Sequence, residues 1–345
     1  MAMLLVGTII GAGFASGKEI LSFFGDNIPF YIAPLSGLLI FGCSVLFLAL
    51  SKRIKAESLS AANSKIMGRA HVAADIFLLF NSLVVLSGML AAMDSLFSMV
   101  LPIVPAYSII SGILCALIVA KGIKGLLGGN MILVPVLIVL IVIICCFSIG
   151  TPQFLYSFRW FYPSAVIVYV SMNMMLAGTV YMTIKDLSLR QIIMSSVLAA
   201  LVIAAIMSLI IFALNTTGIK TDMPLMQIAL NKNKTLFYVA LAAIAACIFT
   251  SMMVAMSGLT QWLKGLIGDT KYSVILVLLA GLIFSNLGFE NVVSFLYPVI
   301  GVLGAVYIGI CLVYFAKIRR RERRNIGYKR SGIRSGKRTE RQPNF

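Results

Sequence analysis

Thr250 and Ser251 stand side by side in an apolar run, with Cys247 one turn before them. Adjacent hydroxyls are hard oxygen donors, suited to an alkali cation and weak toward transition metals. The same hydroxyls can instead bond back to carbonyls one turn earlier. Ser171 and Asn173 put a hydroxyl and an amide near the centre of another apolar run. An asparagine there can also serve as hydrogen-bonding glue between helices. Lys18, Glu19 and Asp94 are ionisable groups inside apolar runs, and Glu290 stands at the entrance to the last of these. Charge at such depth is a functional signal by default. Lys18 paired with Glu290 or Asp94 could close a vestibule, or it could hold helices together statically. His71 is the single histidine, so a multi-histidine metal centre is excluded. With Asp75, it lies near the cytoplasmic mouth of the third span and reads as interfacial, a gate being the lesser alternative. The six cysteines, Cys43, Cys115, Cys145, Cys146, Cys247 and Cys311, all lie in apolar stretches. Their spacing fits neither a disulfide framework nor a zinc site, and they read as small packing residues. No enzyme and no bound cofactor are expected.

The elements that must position these groups announce themselves in the first apolar run, Gly7-Thr8-Ile9-Ile10-Gly11-Ala12-Gly13-Phe14-Ala15-Ser16-Gly17-Lys18-Glu19. Four glycines and a Lys-Glu pair are poor material for a continuous lipid-facing helix. The residues before Gly11 rise roughly 15 Å, and Phe14 to Phe24 rise about as far again. Together they cross a hydrocarbon core of about 30 Å. The glycine break therefore falls near mid-membrane, where irregular backbone is tolerated only if it is buried in protein or lines a polar cavity. Broken helices at that depth are where secondary transporters bind substrate and ions. Gly13-xxx-Gly17 is also a small-xxx-small pattern that lets helices approach closely.

The whole composition agrees with a membrane chain: 61% of residues are hydrophobic and 11% charged, with mean hydropathy +1.04. Soluble domains carry about 25% charged residues. Apolar runs against polar breaks predict an all-α polytopic protein of ten spans. The spans are 1–24, 32–50, 73–101, 104–120, 130–149, 160–184, 192–214, 236–263, 272–287 and 292–316. Met1 leads directly into the first span without a basic n-region, so no cleavable signal peptide is expected. The loop after the second span carries Lys52, Arg53, Lys55, Lys65 and Arg69, and later even-numbered loops add Lys121, Lys124, Lys185, Arg190, Lys264 and Lys271. The opposite loops hold only Arg159, Lys220, Lys232 and Lys234. The positive-inside rule then puts both termini in the cytoplasm. Much of the +17 net charge sits in a basic tail, 317–345, expected to be disordered and to touch anionic lipid rather than nucleic acid.

Five spans after the first break, Ser171-Met172-Asn173-Met174-Met175-Leu176-Ala177-Gly178 weakens the sixth span at its centre. Two interrupted segments at corresponding positions point to an inverted repeat. The glycine-broken first span, the weakened sixth and the Thr-Ser pair of the eighth resemble the leucine-transporter (LeuT) fold of the amino acid–polyamine–organocation superfamily. The first-span string more closely resembles the YkvI-like bacterial membrane proteins of that superfamily. This resemblance implies a 5+5 inverted repeat, 1–150 and 157–316, with broken helices 1 and 6, in a bacterial plasma membrane. It implies a sodium site made by the carbonyls of Gly7, Ile10 and Cys247 and the hydroxyls of Thr250 and Ser251. Phe14 stands where relatives with a second ion site carry an amide, so at most one sodium is implied. The lysine that proton-using members place in the fifth span is missing from that span, which favours sodium over protons.

Half-helix ends at the break carry opposite partial charges. A zwitterion suits that gap: its carboxylate would meet the amides of Gly13, Phe14 and Ala15, and its amine the carbonyls near Ile10 and Ser171. Gly11 would allow close approach, and Asn173 and Ser171 would add side-chain contacts. Met172, Met175 and residues near Ser82 and Leu86 would line the apolar part. The expectation is a secondary transporter of an amino-acid-like solute, coupled to sodium and working by alternating access. The alternative is a sensing subunit, like the spore germination permeases, that binds solute without moving it.

Overall fold

The computed structural model describes residues 2–56, 59–102, 107–121, 126–148, 161–182, 184 and 187–339. Side chains are described within these ranges except at 2–5, 126–133, 161, 179–180 and 321–339. The expected boundary between the two repeats, between 150 and 157, lies outside the described residues. The first span is broken into α1 (Ala2–Ile9), α2 (Ala12–Ser16) and α3 (Lys18–Phe24). There follow α4 (Ile32–Ile54), α5 (Leu59–Met67), α6 (His71–Phe97), α7 (Tyr107–Lys121), α8 (Leu126–Cys146) and α9 (Phe161–Tyr181). The second half of the chain forms α10 (Leu189–Thr217), α11 (Pro224–Lys232), α12 (Lys234–Ile267), α13 (Thr270–Ser285), α14 (Phe289–Asn291) and α15 (Tyr297–Thr339), with a π-helical turn at Val292–Leu296.

All these elements are helical, and each expected apolar segment coincides with one or more of them. Five helical stretches are long and apolar enough to cross a membrane: Ile32–Ile54, Leu59–Phe97, Leu189–Thr217, Lys234–Ile267 and Phe289–Arg320. Shorter apolar helices run over Tyr107–Lys121, Val134–Cys146, Tyr162–Gly178 and Thr270–Ser285. The surface is what a bilayer requires. On α7, Ile110, Ile113, Leu114 and Leu117 are exposed, as are Val302, Leu303, Val306 and Val313 on α15. Water would not tolerate so broad an apolar face on a monomer.

Helices five positions apart in the span order pack on one another: α4 on α10, α6 on α12, α7 on α13, and α1 on α9. Small residues allow these approaches. A side chain at Gly37 would meet Ala204 of α10 at 2.9 Å, and one at Gly112 would meet Leu278 of α13 at 2.7 Å. The α9–α15 contact is closer still. A Cβ at Gly301 would overlap the Val168 carbonyl, and one at Gly304 would lie 2.8 Å from Met175 Cγ and 3.2 Å from the Ser171 carbonyl oxygen.

Two expectations fail here. The sixth span is not interrupted: α9 is continuous from Phe161 to Tyr181. The Asn173 amide donates to the Tyr169 carbonyl at 3.1 Å, one turn back, so it is accommodated without interrupting the helix. Gly178 is a packing glycine, because a Cβ there would meet the Phe47 ring at 3.0 Å. The basic stretch after Ala316, for which composition predicts disorder, continues α15 to Thr339. Lysine and arginine have good helix propensity, and the next proline is Pro343.

Candidate functional site

The break in the first span is built by backbone hydrogen bonds that go astray. Ile10 N–H still donates to Val6 at 2.9 Å, but Gly11 N–H donates to Ile9, also at 2.9 Å, instead of Gly7. Gly11 is extended (φ −94°, ψ −174°) and starts α2. Among the described residues, neither the Gly7 nor the Ile10 carbonyl receives a backbone N–H. The Ala15 amide, expected to face a ligand, is instead spent on the Gly11 carbonyl at 2.9 Å. A second break follows at Gly17, whose φ of 82° is a left-handed conformation open to glycine at little cost. Phe14 and Ala15 are fully buried, and Gly11 faces the Met89 methyl, 3.7 Å from where a Cβ would stand.

The open end of α1 meets α12 at Cys247. The Cys247 thiol donates to the Ile10 carbonyl at 3.5 Å, and Thr250 Oγ1 donates to the Cys247 carbonyl at 3.0 Å. Ser251 is a hydrogen-bonding neighbour of the same thiol. Four members of the expected cation site therefore share one locus. A thiol is a weak donor, so the Ile10 carbonyl keeps capacity for a stronger partner. A Cβ at Gly7 would lie 2.9 Å from Val134, so the Cα face of this residue packs on α8.

The residues expected from the sixth span divide. Ser171 is buried, but its carbonyl lies in an unbroken helix against Gly304 of α15, so it is not free to meet a solute amine. Asn173, also buried, reaches Glu19. Sequence reasoning marked Glu19 as ionisable and assigned it no role. Its residue exposure is 4%, and Oε2 has no hydrogen-bond partner. Its side chain folds back over Gly13, where a Cβ would lie 2.5 Å from its Cγ. In an unbroken helix these two residues would be separated by about 9 Å of rise; the turn at Gly17 brings them together. Tyr169 and Tyr297 lie within electrostatic range of the carboxylate. Tyr169 is packed edge-on by Phe23 and Phe24 at centroid distances of 5.3 and 5.4 Å.

The two ends of the helix bundle differ. At one end Lys18 Nζ lies 3.0 Å from Glu290 and 3.3 Å from Asp222, and Ser95 Oγ donates to Asp222 at 3.4 Å. Asp222 was not foreseen, because an acid in the polar connection between α10 and α11 reads as solvated. Asp94, expected as an alternative partner of Lys18, instead accepts the Ser108 backbone N–H at 2.8 Å and caps α7. Lys220 pairs with Asp26 at 2.5 Å, and Asn215 holds both Ile28 backbone groups, at 2.9 and 2.8 Å. These contacts tie α3, α10 and α14 across that end.

At the other end, about 30 Å away along α6, a cavity of about 400 Å³ runs between α5, α6, α9 and α12. Its lining includes Ser60, Asp75 and Trp262 at the mouth and Ser82 and Leu176 deeper in. Asp75 accepts from Ser60 at 2.5 Å and from Asn63 at 2.6 Å, and Tyr307 donates to Asn63 at 2.7 Å. The short helix α5, which the hydropathy pattern does not reveal, is thereby fastened to α6 and α15.

No family model matches the chain. It is 28% identical over 342 residues to the "Uncharacterized membrane protein YkvI" of Bacillus subtilis (strain 168), covering 93% of this chain and 96% of that one. It is 26% identical over 334 residues to the "Uncharacterized protein YyaD" of the same organism, covering 91% and 95%. Among solved structures it resembles MhsT in complex with L-phenylalanine, with TM-score 0.67, 16% identity and coverage of 91% of this chain and 90% of that one. It also resembles the inward-facing conformation of Mhp1, with TM-score 0.65, 14% identity and coverage of 93% and 76%. The broken first span, the pairing of helices five positions apart and these likenesses agree: the chain is a membrane protein of LeuT fold whose sequence relatives are YkvI and YyaD.

Proposed function

We propose that the protein is a secondary transporter of a small amino-acid-like solute, coupled to sodium and working by alternating access around the Ile10–Gly11 break. The observation that carries this reading is the asymmetry of the two ends. Lys18, Glu290 and Asp222 latch one end, while at the other a cavity reaches from Asp75 to Ser82 and Leu176. A bundle closed at one face and hollow at the other is one state of an alternating-access cycle, in which one group of helices rocks against the other around a fixed site. The Asp75 end carries Arg53, Lys65 and Arg69, so the positive-inside rule makes it cytoplasmic, with both termini on that side of a bacterial plasma membrane. The basic tail then lies against anionic lipid. In this reading the described state is inward-facing, and ten spans form two repeats.

The coupling ion is sodium, held by the Ile10 and Cys247 carbonyls and the Thr250 and Ser251 hydroxyls, with the Gly7 carbonyl approaching from α1. An all-oxygen set without a fixed charge suits a monovalent alkali ion. The solute sits at the break beside Gly11, Gly13, Phe14 and Asn173. The neighbouring structures support the solute class, since MhsT is seen with L-phenylalanine.

Counterflow in proteoliposomes tests the reading. Wild-type protein should exchange a radiolabelled amino acid in a sodium-dependent manner. Thr250→Val with Ser251→Ala should remove the sodium dependence from protein that remains folded. Solute binding with no counterflow would overturn the transporter reading in favour of a sensor. An unchanged sodium dependence in the double variant would overturn the ion site.

A further inference from the structure

We infer that Glu19 is the anionic partner of the solute's ammonium group, which makes the break a cation-recognising site. This rests on the reading that solute binds at the break, and it names the chemistry of that recognition. The carboxylate is 4% exposed, its Oε2 is without a hydrogen-bond partner, and its side chain contacts the Gly13 backbone inside the break. A buried carboxylate is tolerated when it is both paired and hydrogen-bonded. The chain supplies only part of that. Asn173 gives one neutral contact from α9. Tyr169, whose hydroxyl is also buried without a partner, and Tyr297 of α15 lie within electrostatic range.

No positive side chain is given to Glu19 among the described residues. Lys18, its neighbour in sequence, projects to Glu290 and Asp222 instead. Among the described residues, the groups placed near the carboxylate are the Asn173 amide, the Gly13 backbone and, farther off, the phenols of Tyr169 and Tyr297. All are neutral, and all are consistent with a cation arriving from outside the chain. A solute carboxylate placed at the Gly13 amide would meet a like charge. An ammonium group would meet its counter-charge and leave the solute's acidic end for the Phe14 amide.

Gly13 acquires a specific role in this arrangement. Any side chain there would displace the Glu19 carboxylate. The left-handed turn at Gly17 is what folds Glu19 back to this position.

The test is equilibrium binding to the purified full chain, read as thermal stabilisation by mass action. The probes are three matched sets built on the alanine, leucine and phenylalanine skeletons. Each set contains the amino acid, the amine lacking its carboxylate and the acid lacking its ammonium group, all in sodium chloride and in choline chloride. At least one set should stabilise the wild type through its amino acid and its amine, and none through its acid. Glu19→Gln should weaken amine binding by at least about tenfold, the loss expected for a charge-assisted hydrogen bond. Glu19→Asp, which keeps the charge, should retain the preference for amine over acid. If Glu19→Gln fails to fold, Glu19→Asp and the wild-type preference still decide.

The inference is overturned if the acids bind as well as the amines, if no probe stabilises the wild type, or if Glu19→Gln binds amine within twofold of wild type. It is also overturned if Glu19→Gln abolishes stabilisation by sodium chloride alone while leaving the amine sets unaffected, which would assign the carboxylate to the metal ion. Binding is read without transport, so a protein that binds amine through Glu19 yet shows no counterflow fails as a transporter and keeps this site.

Discussion

Lys18→Ala should unlatch the Glu290 end of the bundle, and the structure sets the size of the effect. The Lys18 side chain is 6% exposed, whereas those of Asp222 and Glu290 are 39% and 65% exposed. Each pair therefore joins a nearly buried ammonium to a carboxylate that water and salt still reach. Exposed pairs contribute about 0.2–1 kcal/mol each, and the buried lysine puts both toward the upper end of that range. Two pairs lost together remove about 1–2 kcal/mol from the closed state, since all three side chains become solvated once that end opens. An equilibrium between closed and open forms then moves by about 5–30-fold.

The assay is the rate of labelling from the Glu290 side at a single cysteine, Met89→Cys, in a background lacking the six native cysteines. Met89 faces Gly11 and is 4% exposed, so it is shielded while the latch holds. Lys18→Ala should raise the labelling rate by the factor above, and high salt should raise the wild-type rate toward it by screening the exposed carboxylates. Combining Lys18→Glu with Glu290→Lys should recover part of the closure, leaving Asp222 as a further partner for the new lysine. A labelling rate unchanged by Lys18→Ala, together with a lower folded yield, would refute the latch and make the cluster a static packing device.

Gly17→Ala should destabilise the protein by about 1–2 kcal/mol, the cost of a left-handed conformation for a residue with a Cβ, measured as a shift in the denaturation midpoint. Its Cβ would find only ordinary contacts, at 3.5 Å and beyond, so Gly17→Asn, which tolerates this conformation better, should recover part of the loss. Gly301→Ala should cost about 1–3 kcal/mol by overpacking, because α9 and α15 must separate to clear the Val168 carbonyl. A normal midpoint for that variant would show that the two helices are not in backbone contact.

Features that depend on local chemistry and on the thickness of a bilayer are legible along the chain. Apolar runs long enough to cross a membrane must be helical, because lipid offers no partner for an unpaired backbone group. Each of those runs is indeed a helix or a broken helix. The break at Gly11 was legible for the same local reason, since closely spaced glycines cannot sustain a stiff helix at that depth. Ile10, Cys247, Thr250 and Ser251 could be named together only through resemblance. No spacing within one segment says that the end of α1 abuts the middle of α12.

The remaining features arise only when the helices pack. Asn173 looked like a helix breaker, yet its amide bonds one turn back and α9 runs through. Asp94 looked like a gate and caps α7 instead. Asp222 carried no signal in its own stretch of sequence and joins Lys18. Glu19 carried no sequence signal beyond its charge, because its position over Gly13 depends on one dihedral angle at Gly17 and on the aromatic wall of Tyr169, Phe23 and Phe24. Hydropathy and helix propensity are properties of neighbours along the chain. The pairing of a buried charge is fixed by which distant segments the fold brings within a few ångströms of it, and that is set only when the helices pack.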